Sequence, residues 1–365
     1  MRAPLLLLAA FAFAASASAQ GSVENDPRFV RGRALFDRAF HRASGLGSPD
    51  FNGDSCRACH QDPGLGGAGS LELNVSRFGR DFNGTGPFTN ILGGQTSSRF
   101  RLPQVGGREE YAPAPALQPD VFEQRQPPSL FGVGLIETIS GSTITANEDP
   151  IDSNADGIFG VARRIDMNGT IEIGRYGWKA QIPLVRDFVH DAMAEELGVT
   201  TPDEGRHFGI RGDTDAVTDP ELGSESIDDL DFFVRGLRAP QRGGSTDPRV
   251  ARGESLFASI GCAVCHKPAL QGSEGPVPLY SNLLLHNVMA PGFRGMAEPG
   301  AGVGLYRTPP LWGVKDTAPY LHDGRAETLE QAILLHAGEA LTVRNAYAAS
   351  APTDREALLL FLRDL

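Results

Sequence analysis

Cys56-Arg57-Ala58-Cys59-His60 and Cys262-Ala263-Val264-Cys265-His266 between them use every cysteine of the chain. Cys-x-x-Cys-His is the attachment signature of c-type haem: two thiols add across the porphyrin vinyl groups, and the adjacent imidazole ligates iron. The spacing brings both sulfurs and the ring to one porphyrin edge. Zinc sites share Cys-x-x-Cys but do not require His at the next position. A dithiol redox pair would need the same histidine placed twice by accident. The expectation is two covalently bound haem c groups, tethered through Cys56, Cys59, Cys262 and Cys265. His60 and His266 are then the proximal iron ligands, and no thiol remains for a disulfide.

The amino terminus fits such a product. Arg2 precedes the apolar run Leu5 to Ala15, which ends in Ala17-Ser18-Ala19 before Gln20. This reads as a cleavable secretory signal over 1–19, too short for a membrane span. A periplasmic or secreted location follows. The net charge of −12 argues against nucleic acid and against an anionic membrane surface. Hydrophobic content of 41% is that of a globular chain, while Gly 44 and Pro 26 point to much irregular backbone. Lysine occurs only at 179, 267 and 315, so nearly all positive charge is arginine. Arginine pairs well with carboxylates such as haem propionates.

The two halves echo each other. Arg31-Gly32-Arg33-Ala34-Leu35-Phe36 precedes the first haem motif, and Arg252-Gly253-Glu254-Ser255-Leu256-Phe257 precedes the second. Downstream, Arg125-Gln126-Pro127-Pro128 is answered by Arg307-Thr308-Pro309-Pro310. The order of short helix, haem motif, long excursion and Arg-x-Pro-Pro is kept. The Pro/Gly-rich stretch 239–248 reads as the link between units. Apolar spacing predicts helices over Leu184 to Leu197, Ile227 to Leu237, Leu329 to His336 and Arg355 to Leu365. Few alternating strand patterns are seen. The expected fold is mainly α, with two cytochrome c-like haem domains and long irregular loops: 20–240 for the first domain with its insertions, 241–365 for the second.

With these landmarks the chain resembles the bacterial di-haem c-type oxidoreductases related to di-haem cytochrome c peroxidases, and within them a subfamily labelled thiol oxidoreductases. The resemblance rests on Arg125-Gln126-Pro127-Pro128, Gly174-Arg175-Tyr176-Gly177-Trp178-Lys179-Ala180, Leu283-Leu284-Leu285-His286 and the stretch Thr308 to Ala340. That stretch holds Ala318-Pro319-Tyr320-Leu321-His322-Asp323-Gly324. The thiol label gains no support, because no free cysteine is left for a thiol substrate.

Axial ligation then decides the chemistry, since a haem with an open face can bind peroxide or oxygen and a closed one carries electrons. Between Gln20 and Asp166 the histidines are His41 and His60, without methionine, and His41 reads as a solvated surface residue. The first haem is expected to be open or water-bound. For the second, the resemblance maps the distal ligand onto His336, where relatives usually carry methionine; Met289, Met296 and His286 compete. The resemblance also places Glu137 on the distal side of the first haem, as the polar group for peroxide cleavage, with Gln126 as a weaker candidate. It places a tryptophan between the haems, here Trp178 or Trp312. His322 and His286 read as groups that bond propionates or orient the second haem. His190 and His207 read as helix-face and loop residues.

Asp152-Ser153-Asn154-Ala155-Asp156-Gly157 matches half of a calcium loop, although Arg163 rather than Glu stands at the twelfth position, which excludes an EF-hand. Relatives hold calcium near the haem interface; an Asx-rich turn without metal is the alternative. The resemblance implies a peroxidase-like enzyme. Electrons would pass from a small donor protein, a cytochrome c or cupredoxin, through the second haem to peroxide or another small substrate at the first. A di-haem oxygenase acting on an organic substrate and a non-catalytic electron carrier are the rival readings.

Overall fold

The computed structural model describes residues 20–47, 50–80, 89–90, 96–97, 100–101, 110–111, 120–209, 212–213 and 215–365. The expected leader at 1–19 lies outside the described residues. Among the described residues the α-helical segments are α1 (Pro27–Asp37), α2 (Cys56–Cys59), α3 (Val133–Glu137), α4 (Gly141–Thr145), α5 (Val185–Ala192), α6 (Ser224–Gly236), α7 (Pro248–Ile260), α8 (Leu329–Leu335), α9 (Leu341–Ala349) and α10 (Pro352–Asp364).

The duplicated sequence folds into a duplicated helix pair. Helices α1 and α7 start alike: Asp26 and Asp247 cap them by accepting from the amides of Arg28 and Arg249, and Pro27 and Pro248 open the first turn. Helix α1 packs on α6, and α7 packs on α10. Glycine makes both crossings close. A Cβ on Gly32 would stand 2.0 Å from the Asp229 carbonyl oxygen, and one on Gly253 would stand 2.0 Å from that of Ala357. The preceding arginines lock the pairs, Arg31 Nε on Asp229 at 2.6 Å and Arg252 Nε on Asp354 at 2.5 Å. Phe36 and Phe257 then tilt against His60 and His266, with ring centroids 6.5 and 6.3 Å apart. Thus Arg-Gly-x-x-Leu-Phe is one device used twice: an ion pair, a close crossing and an aromatic wedge beside each candidate iron ligand.

Two hydrophobic cores follow from this. The larger gathers Phe29, Phe36, Ile227 and Phe233 with Leu279, Leu284 and Trp312 from beyond the 239–248 link. The smaller gathers Phe257, Tyr347, Leu358 and Phe361. The link itself has no regular secondary structure before α7 begins.

Among the described residues helix outweighs strand, 37% against 14%, but the strands form five small sheets that apolar alternation did not announce. The reason is visible in the pair Val75–Arg80 and Val121–Arg125, antiparallel with Arg77 opposite Glu123. Val121, Glu123 and Arg125 point inward while Phe122 faces solvent. Charge sits where apolar residues are expected. A second departure lies in the predicted helix Leu184 to Leu197. It is α-helical only to Ala192 and then widens into a π-turn over Met193–Leu197, closed by Gly198 in the left-handed region. Such turns re-aim side chains and recur at functional sites.

Replacing Gly32 or Gly253 by alanine is expected to cost about 1–3 kcal/mol through overpacking. Thermal melting checks this, each variant melting below wild type; an unchanged midpoint would show that the helix pairs can separate freely.

Candidate functional site

Both Cys-x-x-Cys-His motifs open onto one cavity of about 910 Å³. Cys56, Cys59 and His60 line it from the first half, and Cys262, Cys265 and His266 from the second. This volume lies at the upper end of ordinary ligand cavities. Each motif is presented by a tight turn. Ser55 caps the first, its hydroxyl accepting from the Ala58 amide at 3.2 Å. Gly261, with φ +109°, ends α7 and starts the second, a conformation that a side chain would strain.

The two imidazoles are held in the same way. His60 Nδ1 lies 3.2 Å from the Gly67 carbonyl oxygen, and His266 Nδ1 lies 3.0 Å from that of Tyr280. With the proton on Nδ1 donated to a carbonyl, the Nε2 lone pair is left for a metal. The Arg-x-Pro-Pro elements brace these carbonyl-bearing loops. The amide of Gly69 donates to Pro127 and that of Leu130 to Gly66, while Leu311 donates to Leu279 and Ser281 Oγ to Thr308. Burial pushes both imidazoles down to about 4, so they are neutral and able to ligate.

The donor set fits a tethered haem better than its rivals. None of the four cysteines is in a disulfide, and all are half-buried on the cavity wall. Burial drives the Cys56 and Cys262 thiols up to about 12, the reverse of the lowered thiol of a redox dithiol. Among the described residues, the one close group of carboxylate, thiol and imidazole ligand atoms is Asp213, Asp219 and Glu221; neither Cys-x-x-Cys-His converges as a zinc site would.

His336 caps the end of α8 and lines the same cavity, its Nδ1 2.7 Å from the Ala332 carbonyl. It lies near enough to His266 for its charge to depress that imidazole. His286 is buried beside Cys265, with Nδ1 2.9 Å from Glu339 and Nε2 3.0 Å from the Asn282 amide. Both its nitrogens are engaged, which suits an orienting role rather than iron ligation. His322 is buried and stacks on Tyr306, centroids 3.9 Å apart, with Trp178 edge-on at 6.5 Å. Met289 reaches the cavity wall, whereas Met296 is fully buried behind it. His41 is exposed and off the wall; His190 is tied to Thr201.

Gln126 and Trp178 line the cavity and are joined, Trp178 Nε1 donating to the Gln126 carbonyl at 2.7 Å. The Gln126 side chain donates to Gly69 at 2.7 Å, bracing the loop behind His60. Trp312 also reaches the wall and donates to the Phe131 carbonyl at 3.0 Å. Glu137 does not join them. Its turn sends Val133 and Ile136 to the cavity and sets Glu137 on α5, where it accepts from the Val185 amide at 2.8 Å and pairs with Arg235. In the exposed loop, Asp152 accepts from the amides of Asp156 and Gly157, and Asp156 from that of Ile158, so Asx-type turns engage these oxygens.

Two features escaped the sequence reading. One is a buried charge network on the cavity wall. Glu298 is shared by Arg77, Arg125 at 2.7 Å and Arg163 at 2.7 Å, and Arg125 Nε reaches Glu123 at 2.6 Å. The pattern Val121-x-Glu123-x-Arg125 was its only local trace. The other is Asp191, on the cavity wall just before the π-turn. Burial, with Glu195 and Glu196 nearby, lifts its carboxyl to about 7 against the pull of Arg77.

Residues 114–365 match the family described as "Di-haem oxidoreductase, putative peroxidase". The match takes in the second haem motif and stops short of the first. No curated protein matches the chain. Among solved structures, the chain is similar to a MauG-like protein associated with microbial copper homeostasis, with 18% identity over 93% of this chain and 88% of that one and a TM-score of 0.41. It is similar to a variant of the diheme peroxidase BthA from Burkholderia thailandensis E264, with 15% identity over 93% and 86% and a TM-score of 0.44. A Kuenenia stuttgartiensis hydrazine synthase chain gives 14% identity over 100% and 99% and a TM-score of 0.43. Likenesses this slight carry no argument about activity.

The Glu298 network yields a pH prediction. Burial opposes ionisation of Glu298, yet Arg125, Arg77 and Arg163 outweigh it and hold the carboxyl at about 2. A depressed carboxyl contributes stability that is present above its ordinary value and lost as pH falls through the folded one. Wild type is therefore expected to lose stability between roughly pH 4.5 and 2, and Glu298→Gln to show a flatter melting profile there. At neutral pH, Glu298→Ala should cost about 3–5 kcal/mol, since it strands buried guanidiniums. Denaturant midpoints read this directly.

Proposed function

From the premise that the chain belongs to the di-haem oxidoreductase family and is an oxidoreductase, we propose an exported c-type enzyme with two haems that acts as a peroxidase. One observation carries this reading: both Cys-x-x-Cys-His motifs line a single cavity, each with its imidazole tied through Nδ1 to a backbone carbonyl. Cys56, Cys59 and His60 would hold one haem, and Cys262, Cys265 and His266 the other. Bound there, the pair would supply electron transfer and the reduction of a small oxidant such as hydrogen peroxide.

The chain's own residues make the two halves differ. His336, close enough to depress the His266 imidazole, would supply a second ligand to the iron held there, while among the described first-half residues of the wall the one methionine, Met193, is buried in the larger core and the one histidine is His60. Trp178, on the cavity wall and edge-on to His322, would serve as an electron relay. Reduction of peroxide to two waters takes two electrons and two protons, so a proton-holding group must reach the cavity. Asp191 takes this role in place of Glu137, which is committed to Arg235 and α5. Gln126 braces the loop behind His60. His286, with Glu339, steadies the second attachment motif.

The remaining parts follow from composition. A chain of net charge −12 suits a basic electron donor such as a small cytochrome c or cupredoxin. No helix among the described residues is long and apolar enough to cross a membrane. Residues 1–19 act as the export signal, and 20–240 and 241–365 as the two haem-bearing units. Asp152, Asn154 and Asp156 are the oxygens that would hold calcium.

Resting electron paramagnetic resonance tests the asymmetry, with one high-spin and one low-spin signal expected; two low-spin signals would make the protein a carrier. His336→Ala should convert the low-spin signal to high spin, and an unchanged spectrum removes that ligand. Asp191→Asn should lower kcat/KM for peroxide, with reduced cytochrome c as donor, by about 10²–10⁴-fold. Wild-type rates in that variant would return the proton to another group, and wild type idle toward peroxide but active on an organic substrate with oxygen would favour an oxygenase.

A further inference from the structure

The arginine that opens each Arg-x-Pro-Pro element is one of a repeated pair, and both line the cavity: Arg125 from the first half and Arg307 from the second. Arg163 joins them. Its Nη1 donates to the Lys179 carbonyl at 2.9 Å, and Arg307 Nε donates to that of Gly177 at 3.1 Å, so one turn braces both. All three side chains are more than nine-tenths buried.

Charge does not balance around them. Among the described residues, Arg125, Arg163, Arg307 and Lys179 are buried cations, and the carboxylates that pair with them are Glu123 and Glu298, the latter shared with Arg77. Lys179 Nζ is satisfied by the carbonyls of Gly302 and Leu305 and lies 4.5 Å over the Tyr306 ring. Arg307 donates to the carbonyls of Gly177 and Thr308 and, among the described residues, pairs with no carboxylate. Among the described residues, Arg125 Nη2 and Arg163 Nε are buried without a hydrogen-bond partner. Asp191, Glu195 and Glu196 are the other acids on the wall, and none of them closes these bonds. A buried guanidinium left short of partners is costly, and its planar fork matches a carboxylate.

We propose that Arg125, Arg163 and Arg307 form a carboxylate-binding wall whose occupant is the propionate edge of the bound haems, one arginine of each Arg-x-Pro-Pro repeat serving the space between the two attachment motifs. This rests on the di-haem reading and deepens it: the repeat braces each proximal histidine loop and also neutralises the far edge of the porphyrins.

The test uses the full chain, haem-loaded in a host equipped for cytochrome maturation, with Arg307→Met, Arg163→Met and Arg307→Lys. Thioether attachment does not depend on these residues, so haem content should stay at two per chain. An unpaired propionate favours ferric iron. In each methionine variant the reduction potential of one haem should therefore fall, and its propionate bands in resonance Raman should shift. Arg307→Lys, which keeps the charge and loses the fork, should lie between wild type and Arg307→Met and remains informative if a methionine variant fails to fold. Unchanged potentials and bands in all variants overturn the wall while leaving the di-haem reading intact. A wild-type chain without haem sinks both. The wild type is also titrated with acetate and with inorganic phosphate. No saturable spectral change is expected; one that saturates and is lost in Arg307→Met would assign the wall to a soluble anion and overturn the propionate assignment.

Discussion

The bond from the imidazole of each Cys-x-x-Cys-His motif to a backbone carbonyl is the constraint on which the site depends. His60 to Gly67 and His266 to Tyr280 fix which nitrogen carries the proton and where the other can ligate. A carbonyl can do this only if its loop is rigid, and rigidity comes from the Pro-Pro segments hydrogen-bonded to those loops. On the other side of each imidazole stands a phenylalanine from a helix drawn close to its partner by glycine and an Arg–Asp pair. Two copies of one local solution thus face one cavity, and the duplication is a statement about ligand geometry as much as about ancestry.

Asymmetry between the copies comes from what else reaches the cavity. The second half brings His336 at the end of α8 and His286 locked by Glu339 and Asn282. The first half brings Gln126 and, across the π-turn, Asp191. Around them lies a wall of guanidiniums whose burial is tolerable only with anions close by. Glu298 answers three of these cations, and it is held ionised by them in turn.

The two Cys-x-x-Cys-His motifs, the paired Arg-Gly-x-x-Leu-Phe helices and the Arg-x-Pro-Pro elements were legible because local spacing alone defines them. Helices α6, α8 and α10 were legible from apolar periodicity, which burial on one face imposes. The strand pair around Arg77 and Arg125 was not, since its inward positions carry charge and periodicity reads only hydrophobicity. The π-turn was hidden in a run whose composition suits an unbroken helix. Glu137 was drawn toward the cavity by its place after a Pro-Pro element, but one residue of helical rotation sends it to Arg235 instead. Asp191 was not found locally, because its raised carboxyl comes first from burial that only the fold imposes, with Glu195 and Glu196 adding to it.

The most direct measurement is the intact mass of mature protein made in a cytochrome-maturing host, read beside its pyridine haemochrome spectrum. The account requires two thioether-linked porphyrins on the wild type and a single one when either cysteine pair is replaced by alanine. A colourless product with the mass of polypeptide alone, or equal loading after loss of one pair, would contradict it.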